Sequence, residues 1–331
     1  MRICLWHGWL LDGSGSNVYT ARTAEAMREM GHDVLLLCQE PHPEDLPWVD
    51  SWATVDHQVG PLLHNAQAPA ASGGRVVMLR PQIGSLLPVF VYDEYEGFEI
   101  KTFNDLSDEE LEGYLEVNAT ALKSAVDWHD SGAVIVGHAI PGGEIGRRAL
   151  GEGNYIGMIH GSDLLYAITQ QERYADLART GLAPARLVAG MSDDVLERTI
   201  EFVPEIRGRT VVVHPGVDVE RFRLRDPDTG LSLAASLLTN DPDCARGRPP
   251  SLREEVVEAL AARDAEALEA LVARYDQGVP DVDAAKVVEG LVGFGGPIVG
   301  YIGKLIPPKG VERMIEGLAV SGTAAPGVVI G

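Results

Sequence analysis

Basic residues are scarce in this chain. Its 331 residues hold 27 Lys and Arg against 49 Asp and Glu, a formal net charge of -22. Nucleic-acid binding needs a basic face to neutralise phosphates, and tight docking on anionic lipid needs one too, so the charge argues against both. Peripheral membrane contact stays open. Cysteine is nearly missing: Cys4, Cys38 and Cys244 are all there are. An odd, sparse set at these spacings is neither a disulfide framework nor a zinc site. Cys4 and Cys38 lie in apolar runs, where a thiol is usually a small core residue, and a reducing compartment fits. Long apolar runs are lacking as well. None approaches the roughly 20 residues of a membrane span. Met1-Arg2-Ile3-Cys4-Leu5-Trp6 has neither the apolar stretch nor the cleavage site of a secretory leader. The expectation is a cytoplasmic protein without a transmembrane segment, and one that binds no nucleic acid.

What is present is ample core material, 45% of residues being hydrophobic. At roughly 100–200 residues per domain, the length suggests two domains. The opening reads as a βαβ unit. Arg2–Trp6 is a short apolar run, His7–Ser16 a loop with Gly8, Gly13 and Gly15, Asn17–Met30 a stretch of helical periodicity closed by Gly31, and Val34–Cys38 a second strand. The alternation continues. Strands are expected at Arg75–Arg80, Pro88–Tyr92, Ala133–Gly137, Tyr155–Ile159, Arg186–Ala189 and Thr210–Val213. Helices are expected at Leu106–Asp127, Leu164–Thr180 and Asp193–Phe202, the last capped by Ser192. Such alternation gives an α/β fold with parallel sheets. Residues 226–290 are instead rich in Ala, Glu, Asp and Arg, with Glu254–Tyr275 reading as one long helix whose charged face meets solvent. A second βα pattern follows, with strands at Ile298–Ile302 and Gly327–Ile330 around a helix at Val311–Leu318. One and a half such units do not bury a sheet, so the chain is expected to be a fragment whose second lobe is incomplete. The domains expected are 1–225, 226–295 as an acidic helical insertion, and 296–331.

Four constellations could carry chemistry. In Asp12-Gly13-Ser14-Gly15-Ser16-Asn17-Val18-Tyr19 the glycines let backbone approach a ligand, and the following helix points N–H groups at it. The loop is neither a dinucleotide fingerprint, since Val18 stands at the third glycine position, nor a P-loop. A tight turn packed for structural reasons is the alternative. In Gly303-Lys304-Leu305-Ile306-Pro307-Pro308-Lys309-Gly310 two lysines flank a proline-stiffened loop and can converge on a diphosphate; otherwise they are solvated surface lysines. His160-Gly161-Ser162-Asp163 presents an imidazole and amides at a strand end, as does His138-Ala139 on a neighbouring strand, unless these histidines are structural. His214-Pro215-Gly216-Val217-Asp218 with Phe222 reads as a hinge at the domain junction.

In this order, the motifs make the chain resemble the retaining glycosyltransferases of family 4, whose GT-B fold has two Rossmann-like lobes. The resemblance covers most of residues 1–225 and 296–331. It implies that Gly13, Ser14 and Gly15 lie beside the donor phosphates and transferred sugar, and that His160 orients that sugar at the reaction centre. It implies that Lys304 and Lys309 grip the donor diphosphate and that Asn17 and Tyr19 contact the acceptor. Lys304 stands where the family usually has arginine, so a point charge replaces a bidentate clamp. The family's paired glutamates, Glu-x7-Glu, would lie beyond Gly331, and the acidic insertion is unusual for it. The implied reaction moves a sugar from a nucleotide-diphosphate sugar to a hydroxyl acceptor by a front-face route, with no cofactor and no obligatory metal. A GT-B sugar-nucleotide epimerase and an inactive sugar- or nucleotide-binding fragment are the rival readings.

Overall fold

Strand β1 (Arg2–Trp6) shows why a parallel sheet forms here. Ile3 and Leu5 pack into one apolar cluster while Cys4 and Trp6 pack into another, so the strand is buried on both faces. Central strands of parallel sheets are apolar throughout for this reason, helices covering both sides. In the computed structural model the described residues are 1–56, 60–66, 74–241, 244–245, 250–272, 274, 280–281, 283–303, 305–322 and 325–330. Two units are distinguished, Met1–Gly216 and Val217–Gly331.

The first unit is Rossmann-like. Its strands after β1 are β2 (Asp33–Leu37), β3 (Ser51–Asp56), β4 (Gly60–Ala66), β5 (Arg75–Pro81), β6 (Leu86–Val89), β7 (Glu99–Thr102), β8 (Ala133–Gly137), β9 (Ile156–Ile159), β10 (Leu187–Gly190) and β11 (Thr210–Val212). Nine of them form one sheet in the order β11-β10-β9-β8-β1-β2-β5-β3-β4, in which only the edge strand β4 runs antiparallel. β6 and β7 pair separately, in parallel. Helix α1 (Gly15–Glu29) covers one face, against Val34, Leu36, Val76 and Met78. On the other face lie α2 (Asp108–His129), α3 (Gly143–Leu150) and α4 (Glu172–Leu182), packed with Leu35, Leu37, Val77, Val134 and Val136. Helix α5 (Asp193–Phe202) is capped by Ser192, whose side chain accepts from the Val195 N–H. Ser107 and Glu110 form a reciprocal capping box at the start of α2.

Strand β1 pairs with β2 on one side and β8 on the other. The chain leaves β1 in one direction and later returns to its opposite edge. Outside the carboxyl ends of strands at such a switch point, open α/β sheets form their crevice.

The expected single helix over Leu164–Thr180 is broken. Leu164–Ile168 forms a wide π-type turn, Gln171 is extended at φ −142° and ψ 131°, and α4 begins at Glu172. The strand expected at Pro88–Tyr92 ends at Val89.

The second unit opens on a turn in which the Asp218 carboxylate accepts from the N–H groups of Glu220 and Arg221. Phe222 is exposed. Helices α6 (Pro227–Asn240), α7 (Pro250–Ala262), α8 (Ala265–Val272) and α9 (Ala284–Glu289) follow. The long helix expected over Glu254–Tyr275 is two helices, because Arg263 turns left-handed at φ 55° and the Asp264 carboxylate caps the restart through the Ala267 N–H; Tyr275 lies outside the described residues. Strand β12 (Val299–Ile302), helix α10 (Val311–Ser321) and strand β13 (Gly327–Ile330) form a βαβ unit, the two strands pairing in parallel.

Candidate functional site

Three histidines follow three adjacent strands at the switch point: His7 after β1, His138 after β8 and His160 after β9. Their rings form a chain. The His138 centroid lies 4.6 Å from that of His160 and 6.4 Å from that of His7. Trp9 and Phe90 close on His138, each with its ring centroid 4.9 Å away. Beyond His160 the ring of Tyr19, on α1, meets the imidazole edge-on at 5.4 Å.

The β8 and β9 ends are tied by Asp163, which is fully buried. Its Oδ2 accepts from the Ala139 N–H and its Oδ1 from the Gly161 N–H at 3.1 Å. Burial holds the His160 imidazole well below the ordinary histidine range, and the neighbouring His138 and His7 push it further the same way. Among the described residues its buried Nδ1 has no hydrogen-bond partner, nor has either ring nitrogen of His138. A buried imidazole that cannot easily take a proton stays neutral at pH 7, with one nitrogen donating and one accepting.

His7 is held differently. Its Nε2 bonds Asn17 Oδ1 at 2.9 Å and its Nδ1 bonds Thr20 Oγ1 at 3.1 Å. Burial depresses its pKa to about 3, with His138 adding to the effect. Asn17 in turn donates from Nδ2 to the Asp12 carbonyl, and Thr20 Oγ1 also lies 2.9 Å from the Ser16 carbonyl. The glycine loop is thereby fastened to the end of β1. Gly13 has φ 74°, a left-handed conformation that side chains disfavour, and this turns the chain into α1. Ser14 caps the helix by accepting from the Asn17 N–H. Gly15 and Ser16 keep N–H groups without a hydrogen-bond partner among the described residues. A helix start with open N–H groups attracts anions and hydroxyl oxygens.

Of the residues singled out from sequence, Gly13, Ser14, Gly15, Asn17, Tyr19 and His160 belong to this one unit and border the same strand ends. Asn17 is buried, with both polar atoms of its side chain engaged. Lys309 lies in the second unit. It is exposed and ends the turn Pro307–Lys309, after which Gly310, at φ 70°, opens α10. Lys304 lies outside the described residues. From sequence, His7 was only the start of a loop and Asp163 only the end of the His160 motif, neither with a role of its own. A histidine directly after the first strand was the available signal for one, and a carboxylate three residues after His160 for the other. Among the described residues, no three His, Cys, Asp or Glu side chains are grouped so as to hold a metal ion.

No family model matches the chain, and no curated protein matches it. Among solved structures it is similar to an E. coli trehalose-6-phosphate structure bound with UDP-2-fluoro glucose, at 12% identity and a TM-score of 0.40, over 71% of this chain and 55% of that one. It is also similar to UDP-N-acetylglucosamine 2-epimerase from Rickettsia bellii, at 9% and 0.38, over 81% of this chain and 60% of that one. For an α,α-trehalose 6-phosphate synthase from Burkholderia multivorans the values are 13% and 0.42, over 99% of this chain and 83% of that one. The chain spans less than two thirds of the length of the first two. At this distance the likeness carries no argument about activity.

Proposed function

We propose that the chain belongs to a retaining glycosyltransferase of the family 4 type, built on the GT-B plan, which moves a sugar from a nucleotide-diphosphate sugar to a hydroxyl acceptor. The observation that carries this reading is the contact of Tyr19 with His160, which brings the glycine-loop helix and the His160-Gly161-Ser162-Asp163 strand end to one crevice. Both motifs help to carry the family resemblance, and Tyr19 and His160 are 141 positions apart in sequence (160 − 19).

In this reading the open N–H groups at the start of α1 face the donor phosphates and the transferred sugar. Charge builds on the diphosphate as it leaves, and Lys304 and Lys309 are assigned to stabilise it. His160, neutral and fixed by Asp163 through the strand ends, orients the transferred sugar by hydrogen bonding and is not a nucleophile. The leaving phosphate helps to take the proton from the acceptor hydroxyl as the new bond forms on the same face. Tyr19 borders the acceptor directly. Asn17 acts on it through the shape of the loop, because its polar atoms are already bonded. The donor is the only small molecule the reaction needs besides the acceptor. A cytoplasmic setting, with reduced thiols, suits it.

Calorimetry with UDP and GDP, together with a donor-panel hydrolysis assay, tests this proposal. Binding of one nucleotide and slow hydrolysis of its sugar donor are expected. Binding of neither nucleotide, with no donor turned over, would remove the transferase reading. Free epimerised donor formed without any acceptor would assign the chain to the epimerases instead.

A further inference from the structure

A cavity of about 230 Å³ opens in the first unit, away from the histidines. It is lined by Glu40, Glu44, Trp52, Thr54, Met78 and Arg80, with Pro41, Pro43 and Ala53 completing its wall. None of Gly13, Ser14, Gly15, Asn17, Tyr19 or His160 lines it. Met78, Ala53 and Pro43 are buried, while Trp52 is only partly covered. Arg80, near the carboxyl end of β5, is exposed and has no hydrogen-bond or ion-pair partner among the described residues. Glu40 is fixed in place: its Oε1 accepts from the His42 N–H at 3.2 Å and its Oε2 from the Leu11 N–H at 3.3 Å. The second of these bonds ties the cavity wall to the loop that leads into Gly13.

We infer that this cavity is a binding site for a neutral sugar ring, separate from the crevice at the histidines. The lining supplies the three elements such a ring needs. The Trp52 indole offers an apolar face for the C–H side of a pyranose. The carboxylates of Glu40 and Glu44 accept hydrogen bonds from hydroxyls, and the Arg80 guanidinium donates to hydroxyl oxygens from a rigid fork. Two carboxylates against one guanidinium disfavour a phosphate or another anionic ligand. The volume suits one hexose ring and falls below the roughly 300 Å³ at which drug-sized pockets begin.

The test uses the full chain labelled with 5-fluorotryptophan. Five tryptophans give five fluorine signals, and Trp52→Phe assigns the one for Trp52. Methyl α-D-glucopyranoside is titrated with and without saturating UDP, and glucose 6-phosphate and glucosamine are titrated in parallel. Only the Trp52 signal should shift with the neutral glycoside, and UDP should leave that shift unchanged. Arg80→Ala and Glu44→Gln, both at exposed positions, should each weaken binding by up to about tenfold. Three outcomes would overturn the inference: no shift with the neutral glycoside, displacement of the glycoside by UDP, or tighter binding of glucose 6-phosphate or glucosamine. Failure of UDP to bind at all bears on the transferase proposal and leaves this site untouched.

Discussion

The Nε2 of His7 lies 2.9 Å from Asn17 Oδ1, so the residue after the first strand holds a residue in the first turn of the first helix. Asn17→Ala removes this partner and leaves the Asp12 carbonyl without its donor. A buried group stripped of its partner costs about 1–3 kcal/mol, and urea unfolding should show a loss of that size. Asn17→Asp should also lose stability, because its second oxygen cannot donate to the Asp12 carbonyl.

Removing the His160 ring should act on turnover and leave the fold intact. On the transferase proposal, His160→Ala is expected to lower donor turnover by about 100-fold, the effect of a misplaced substrate. Circular dichroism and the urea midpoint check that folding is retained. An unchanged turnover number would exclude the orienting role.

The two depressed histidines of the candidate site, together with His129, which burial also lowers, set a pH dependence. An unfolded histidine takes its proton near pH 6.5, whereas His7 in the fold does so only near pH 3 and His160 does so well below the ordinary value. The unfolded state therefore binds more protons as pH falls below 6.5. The stabilisation is complete above that pH and is lost on acidification. Each such group should remove up to about 1.4 kcal/mol per pH unit below about pH 6. Urea midpoints at pH 7.5, 6 and 5 give the slope, and His7→Gln should reduce it by one group's share. The carboxyls of Asp50 and Glu144 are pushed up by burial but held below their usual range overall by the guanidinium of Arg28 and those of Arg147 and Arg148. Their contribution is present above the ordinary carboxyl range and is lost only at lower pH, so the histidine slope can be read separately.

Arg28 bonds Asp50 through Nε and one terminal nitrogen, both at 2.9 Å, and the Asp50 carboxylate is nearly buried. Among the described residues, Arg28→Ala leaves that charge with the Val76 N–H at 2.8 Å as its one hydrogen-bond donor. The expected loss is about 3 kcal/mol at neutral pH. It should shrink at acid pH, where Asp50 takes up a proton in the variant.

Helices α3 and α4 cross closely at Gly181, where an added Cβ would lie 2.3 Å from the Glu144 amide nitrogen. Backbone cannot yield as a flexible side chain does. Gly181→Ala should destabilise by about 1–3 kcal/mol and shift the thermal midpoint downward.

Much of the first unit was legible because its strands are apolar on both faces and its helices carry their own start signals. Arg2–Trp6, Ala133–Gly137, and Asp193–Phe202 with its Ser192 cap have the bounds expected from sequence. Strands β3 and β4 were not legible. β4 is the edge strand, and β3 beside it is buried only at alternate residues, Ser51, Ala53 and Val55. The wide turn at His138–Gly142 and helix α3 were hidden by Pro141, Gly142 and Gly143, which read as loop. The break at Arg263 escaped notice because no Gly or Pro announces it. At the candidate site, spacing and residue type pointed to the glycine loop and His160. The bond from His7 to Asn17 is a tertiary relation that no local pattern encodes.

The position of β1 between β2 and β8 also governs when the site can exist. Residues Ile3–Trp6 pair with Ala133–Val136, some 130 positions later in the chain. Contacts of such long range are slow to form, because the intervening segment must be ordered first. On the ribosome, β1 must wait with one edge unpaired until β8 has been made. His7 can therefore be fastened to the glycine loop early, by local contacts. Its meeting with His138 and His160 belongs to the closing stage of the first unit's assembly.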